Sequence, residues 1–174
     1  MSKVRCSTCG SEHDLGNIEP SFRRPDAYFA VPSEERQRRI NESDEACLIA
    51  SADGQDLACF IRAILKVPIT DERNSIGWGL WVEVDHQAYW RVASIWDDPS
   101  QSAEPPFACT VANDIPGYPS TRGLPGVIQL TGPHLRPSLT LTPTSSHPFA
   151  VETHAGVQFE RALEWRSWFV HPAS

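Results

Sequence analysis

Two cysteines three residues apart stand near the start of the chain, in Cys6-Ser-Thr-Cys9-Gly10-Ser-Glu-His13. Thiolates at that spacing can face one tetrahedral ion if the backbone turns tightly after the second. Gly10 permits such a turn because glycine tolerates positive φ. His13 can supply a third ligand, and Cys47 is the next thiol along the chain. Cys6, Cys9, His13 and Cys47 are therefore the candidate ligands of a structural Zn²⁺ in a zinc-knuckle-like segment. A closed site of that kind shapes the chain and does no chemistry. Two alternatives stay open: an unliganded surface pair, and a thioredoxin-like redox pair. The second would need a strand before the motif and a helix beginning within it, and the sequence offers neither.

A second group could do acid–base work. His134 and His147 each follow a β-prone stretch and neighbour a proline, and Glu152 could complete a small catalytic set with them. With Asp114 they could instead bind a second metal, although their spacing matches no ligand signature. The chain contains no nucleophile elbow, no phosphate-binding P-loop and no dinucleotide fingerprint. Cys109 lies on a β-prone stretch without a recognisable partner and is expected to be an inert core thiol. Two functions follow. One is a binding, adaptor or inhibitor module acting on a protein partner of basic character. The other is a small enzyme using His134, His147 and Glu152 in a cleft. Convergence of those three side chains favours the enzyme, and their dispersal beside an exposed apolar surface favours the binder.

The composition narrows the setting. The 174 residues carry a net charge of −7, which disfavours nucleic acid and favours basic partners or small molecules. The densest basic cluster, Arg36, Arg38 and Arg39, alternates with Glu34, Glu35 and Glu42 and is expected to be a solvated, ion-paired helix face. No apolar run is long enough to span a membrane, and no signal peptide is expected. Five cysteines are an odd number, spread unlike a disulfide framework, so a reducing cytoplasm is the expected compartment.

The elements that must position these groups form one expected domain, 1–174. Residues 1–20 make a metal-pinned segment and 21–174 an α+β body. Residues 21–32 are expected to be a loop, and Ser33–Ile40 a short helix capped by Ser33. Cys47–Ala50, Leu57–Ile69 and Gly77–Val84 are expected strands, with Asp53-Gly54 as a hairpin turn. On the last strand Leu80, Val82 and Val84 share one face. Trp78 and Trp81 point to opposite sides, one into the core and the other free to line a surface. Asp85 caps a helix running to about Trp96, with Tyr89, Val92 and Trp96 at helical spacing. Phe107–Ala112, Val127–Leu130 and Ser138–Thr142 are further short strands, and a last helix spans about Val157 to Val170. Successive strands without β-α-β alternation predict a mainly antiparallel sheet flanked by about three helices.

Several short motifs occur in a distinctive order: Cys6-x-x-Cys9-Gly10-x-x-His13, Pro25-Asp26-x-Tyr28, Ser43-Asp44 ahead of Cys47, Gly77-Trp78-Gly79-x-Trp81-Val82, Glu104-Pro105-Pro106, Tyr118-Pro119 and His147-Pro148-x-Ala150-Val151-Glu152. Together they resemble the bacterial domain-of-unknown-function family numbered 2199, from Cys6 to about Trp165. The resemblance implies no activity. It does imply that Cys6, Cys9 and Cys47 belong to one pattern. The chain departs from that pattern after His13, where relatives have a Leu-Pro step, and at Cys59, where an aromatic is usual.

Overall fold

The computed structural model describes residues 3–5, 12–14 and 19–169. Strands β1 (Lys3–Arg5) and β2 (Glu12–Asp14) pair antiparallel. Helices α1 (Asp26–Ala30) and α2 (Ser33–Arg39) follow, then β3 (Ile40–Glu42) and β4 (Ala46–Ala50). The centre of the fold is β5 (Leu57–Ile69) against β6 (Asn74–Val84), paired antiparallel from Cys59↔Val84 to Ile69↔Asn74. After α3 (His86–Ser94) come β7 (Phe107–Val111), β8 (Pro125–Gln129) and β9 (Ser138–Leu141), each antiparallel to its predecessor. Helices α4 (Pro148–Ala155) and α5 (Phe159–Ser167) complete the order.

The class is α+β, as expected, with five α-helices among the described residues where about three were predicted. One feature was not expected. β9 returns to β5 and pairs parallel to it at Ile64↔Ser138 and Leu65↔Leu139, closing β5 to β9 into a five-stranded barrel. Closure leaves those strands no free edge. β3 and β4 extend the same sheet outward from the first half of β5.

Alternation along β5 and β6 builds two cores. Ile61, Ala63, Leu65 and Val67 face inward with Trp78, Leu80 and Val82. There Trp78 meets Phe149 of α4 and Trp165 of α5 edge-on, at ring separations of 5.7 and 5.3 Å. Phe60 and Trp81 face outward, onto Cys47 and Ile49 of β4, and Val31, Phe22 and Tyr28 cover them. Both Trp78 and Trp81 are thus fully buried. Trp81 does not line a surface because the segment read as a loop packs over it and contains α1.

That segment is tied down at Gly79. The Phe22 amide donates to the Gly79 carbonyl at 2.9 Å, and the Gly79 amide to the Pro20 carbonyl at 2.8 Å. A Cβ on Gly79 would lie 2.5 Å from Ser21 Oγ, so any larger residue forces the strap away. Helix boundaries shift for equally local reasons. Pro32, not Ser33, occupies the α2 N-cap. The expected last helix is two: α4 ends at Gly156, whose φ of 79° breaks the spiral. The chain then bonds across to Pro68 and Thr70 before α5 begins. No helix among the described residues is long and apolar enough to cross a membrane.

Candidate functional site

The cysteine motif falls in the connection between β1 and β2. Arg5 pairs with Glu12 and Val4 with His13, so residues 6–11 join two strands held in register. Cys6 and Cys9 lie outside the described residues, as does the side chain of His13. Two thiols and an imidazole make a donor set whose chemistry suits Zn²⁺. Cys47 has different surroundings. It is fully buried on β4 among Val31, Ile49, Phe60 and Trp81. Burial, with Glu42 adding to it and Arg24 opposing, pushes the thiol up to about 12. In that apolar cluster Cys47 packs as a small, buried side chain. Cys59 and Cys109 are likewise buried free thiols, with Cys109 pushed up to about 12 by burial. Among the described residues no three His, Cys, Asp or Glu side chains gather as a metal site requires.

The three acid–base candidates do not converge. Glu152 and His147 both belong to α4 and flank Tyr118. The Tyr118 hydroxyl donates to the Glu152 carboxylate and accepts from Arg161 Nη2 at 2.9 Å and Trp165 Nε1 at 3.0 Å. Arg161 Nε also donates to Glu152 at 3.3 Å, and its guanidinium lies 5.3 Å from the Tyr118 ring centre. Burial, reinforced by the Glu152 hydrogen bond and charge, holds the Tyr118 phenol well above its ordinary range. His147 is occupied otherwise: its Nδ1 accepts from the Phe149 amide at 3.2 Å, capping α4, and its Nε2 lies 3.3 Å from the Pro119 carbonyl. His134 is elsewhere, exposed, with Nδ1 3.4 Å from Asp97 Oδ1. Asp114 does not join His134 or His147; it organises its own loop through Ser120, Thr121 and Arg122.

A recess forms instead where β5 changes partner. Up to Ile61 the outer edge of β5 pairs with β4, and from Ile64 it pairs with β9. At the changeover the Arg62 amide donates to the Glu45 carbonyl and the Ile64 amide to the Pro137 carbonyl, each at 2.9 Å. Neighbouring side chains then close the seam, with Arg136 Nε and Nη2 gripping Glu45 at 2.7 and 2.9 Å. A cleft opens on each side of this fork. The first, of about 370 Å³, lies beside α3 and is lined by apolar Ala46, Ile61, Tyr89, Val92 and Trp96 together with Ser43, Glu45 and Asp97. The second, of about 650 Å³, is flanked by Lys66, His134, Arg136 and Ser138. The His134–Asp97 pair links the two rims.

Two observations single out the seam. His134 is the one non-glycine residue with positive φ, 59°, among the described residues. Left-handed backbone at a branched-out side chain stores strain that surrounding structure must hold. Arg62, at the changeover itself, has its Nε buried without a hydrogen-bond partner among the described residues. Sequence reasoning placed Tyr89, Val92 and Trp96 at helical spacing but assigned that face no cleft. The signal available was Ser43-Asp44-Glu45, a polar turn directly before the apolar β4.

Residues 5–157 match the family described as an uncharacterized protein conserved in bacteria (DUF2199), and the chain belongs to that family. No curated protein and no solved structure matches the chain.

Proposed function

We propose that this DUF2199 chain is a binding module whose ligand occupies the seam beside α3, and that its N-terminal hairpin holds a structural Zn²⁺ through Cys6, Cys9 and His13. The observation that carries the binding reading is the lining of that recess. Around Tyr118 every hydroxyl site is used internally, whereas the recess at the seam is lined mainly by apolar side chains, Ala46, Ile61, Tyr89, Val92 and Trp96, with Ser43, Glu45 and Asp97 as its polar members. Concave surfaces that combine an apolar floor with a few polar groups are where ligands bind.

A photo-crosslinking residue at Ala93, on the cleft wall, tests the site in the producing cell. A discrete adduct is expected there and not from Val127, an exposed position on β8. Adducts of equal yield from both positions, or none from either, reject the seam. The zinc reading is checked by elemental analysis of protein purified without chelator, where about one zinc per chain is expected. Cys6→Ser should remove it and Cys47→Ala should not. Loss of zinc in Cys47→Ala would restore Cys47 as the fourth ligand.

A further inference from the structure

We infer that His147 is a pH-sensitive clasp: it holds the start of α4 while its imidazole is neutral and releases it on taking up a second proton. The device is separate from the seam and from any ligand bound there. Its geometry fixes one tautomer. The Phe149 backbone N–H donates to Nδ1 at 3.2 Å, so that nitrogen must keep a free lone pair and carry no proton. The single proton of the neutral ring is then on Nε2, which lies 3.3 Å from the Pro119 carbonyl and donates to it. One ring thus joins the first turn of α4 to the loop bearing Tyr118.

In the imidazolium both nitrogens carry protons. The bond to Pro119 survives that change, but Nδ1–H and the Phe149 N–H then meet as two donors. The added charge also sits at the positive end of the backbone dipoles of α4, where a cation is unfavourable. His147 forms no ion pair among the described residues, and the carboxylates of the surrounding elements are engaged elsewhere. Glu152 is held by Tyr118 and Arg161, Glu164 by Arg161, and Asp114 by Ser120 and Arg122. The Tyr118 ring centre lies 6.4 Å from that of His147, with its hydroxyl turned to Glu152. His154 belongs to the opposite end of α4.

The clasp matters beyond its own turn because of the residue it holds. Pro148 has no amide to offer, so Phe149 carries the first N–H of the helix and His147 is its acceptor. The Phe149 ring is fully buried and meets Trp78, Tyr118 and Trp165 at ring separations of 5.7, 5.1 and 6.1 Å. Releasing its amide loosens the residue through which α4 grips the aromatic end of the barrel. Asp85 makes the corresponding cap on α3 with a carboxylate, accepting from the Ala88 amide at 2.7 Å. Histidine is the side chain whose charge ordinarily changes between about pH 5 and 8, so the α4 cap should respond there while the α3 cap serves as an internal reference.

Long-range ¹H–¹⁵N spectra of the imidazoles in the full-length protein at about pH 8 should show the His147 proton on Nε2 and a bare Nδ1. On acidification to about pH 5, the amide-exchange protection factor of Phe149 should fall about fivefold, the worth of a typical N-cap, while that of Ala88 holds. His147→Asn, whose side-chain oxygen accepts whatever the pH, should keep the protection and abolish its acid response. His147→Ala should show the low protection at both pH values. A proton on Nδ1 at the higher pH would overturn the clasp. Equal acid responses in His147→Asn and the wild type would overturn it too, because another group would then be responsible. Full protection of Phe149 in His147→Ala at the higher pH would show that the imidazole holds nothing.

Discussion

Two tyrosines show how differently this fold treats similar groups. Tyr118 has one hydrogen-bond donor site and two acceptor sites in use, shared among Glu152, Arg161 and Trp165. Tyr89 is more deeply buried and its hydroxyl bonds no described residue. Both stand near an arginine–carboxylate pair of similar exposure: Arg161–Glu152 at 28% and 33%, Arg136–Glu45 at 34% and 34%. Exposure therefore does not separate the two regions; completeness of bonding does. A closed network ties α4 and α5 to the loop bearing Tyr118, and its energy is spent within the chain. At the seam, by contrast, Arg62 Nε is buried without a hydrogen-bond partner among the described residues.

The strongest way to break this contrast is to attack the packing that the closed network rests on. Trp165→Ala removes a fully buried indole that meets Trp78, Phe149 and Tyr118. It should lower unfolding free energy by about 3–5 kcal/mol in a urea titration. A loss below about 1 kcal/mol would mean that α5 contributes little to the barrel.

A sharper version compares hydroxyl deletions. Tyr118→Phe leaves the buried Trp165 indole N–H without an acceptor and Glu152 with Arg161 alone, and should cost about 1–3 kcal/mol. Tyr89→Phe removes a group without a described partner and should stay within about 0.5 kcal/mol. Reversal of that order would refute the distinction between the two sites.

Alkaline titration tests the buried groups on both sides, because burial also raises the Tyr89 phenol. Cys109 ionises at 9.0 when free of the fold and is pushed up to about 12 within it, and the Tyr118 phenol is also held up by burial and by Glu152. For an acid whose folded pKa is raised, the stabilisation is complete below the unfolded value and is lost as pH climbs toward the folded one. Stability should therefore fall from about pH 9 toward pH 12, with values for Cys109 as given. Tyr118→Phe and Cys109→Ala should each flatten the fall, and Glu45→Gln should leave it unchanged.

The smallest effect belongs to the seam's own ion pair. Glu45→Gln keeps a hydrogen-bond acceptor for Arg136 and loses a third-exposed charge pair, so chemical denaturation should register less than about 1 kcal/mol. A loss several times larger would show that the fork, and not β5–β9 pairing, holds the barrel shut.

Much of this architecture was legible in residue order. The period-two pattern of Leu57–Ile69 and Gly77–Val84 placed both central strands and assigned Leu80, Val82 and Val84 to one face, and Asp85 caps α3 as expected, accepting from the Ala88 amide at 2.7 Å. Ion pairing of Glu35 with Arg39 at 2.6 Å bears out the ion-paired half of the α2 reading, but the Arg39 side chain is only 14% exposed and its Nε donates to the Ala50 carbonyl, so that face is not wholly solvated. What sequence could not supply was long-range pairing. Nothing local in Ser138-Leu139 says that it lies beside Ile64. The same gap hid the cleft, since its lining comes from β4, β5 and α3 and exists only once β5 has changed partner. Trp81 was misjudged for a related reason, because its cover comes from residues 22–31. α4 carried a usable start signal in His147-Pro148, an acceptor followed by proline in the first turn, although the expected last helix begins only at about Val157.

The parallel contact between β5 and β9 also sets an order of events during folding. β5 and β6 are joined by residues 70–73 and can zip from their turn, and β3 and β4 add from the neighbouring side through short connections. The partner of Ile64 is Ser138, more than seventy residues further along the chain, so that pairing must overcome a large loop-closure entropy. Until it forms, β9 and the second half of β5 are open edges on an unfinished meander, the condition in which chains add to one another. Pulse-labelled amide exchange should find β9 protected last. Yield on refolding should therefore depend more on protein concentration than the finished barrel's lack of edges suggests.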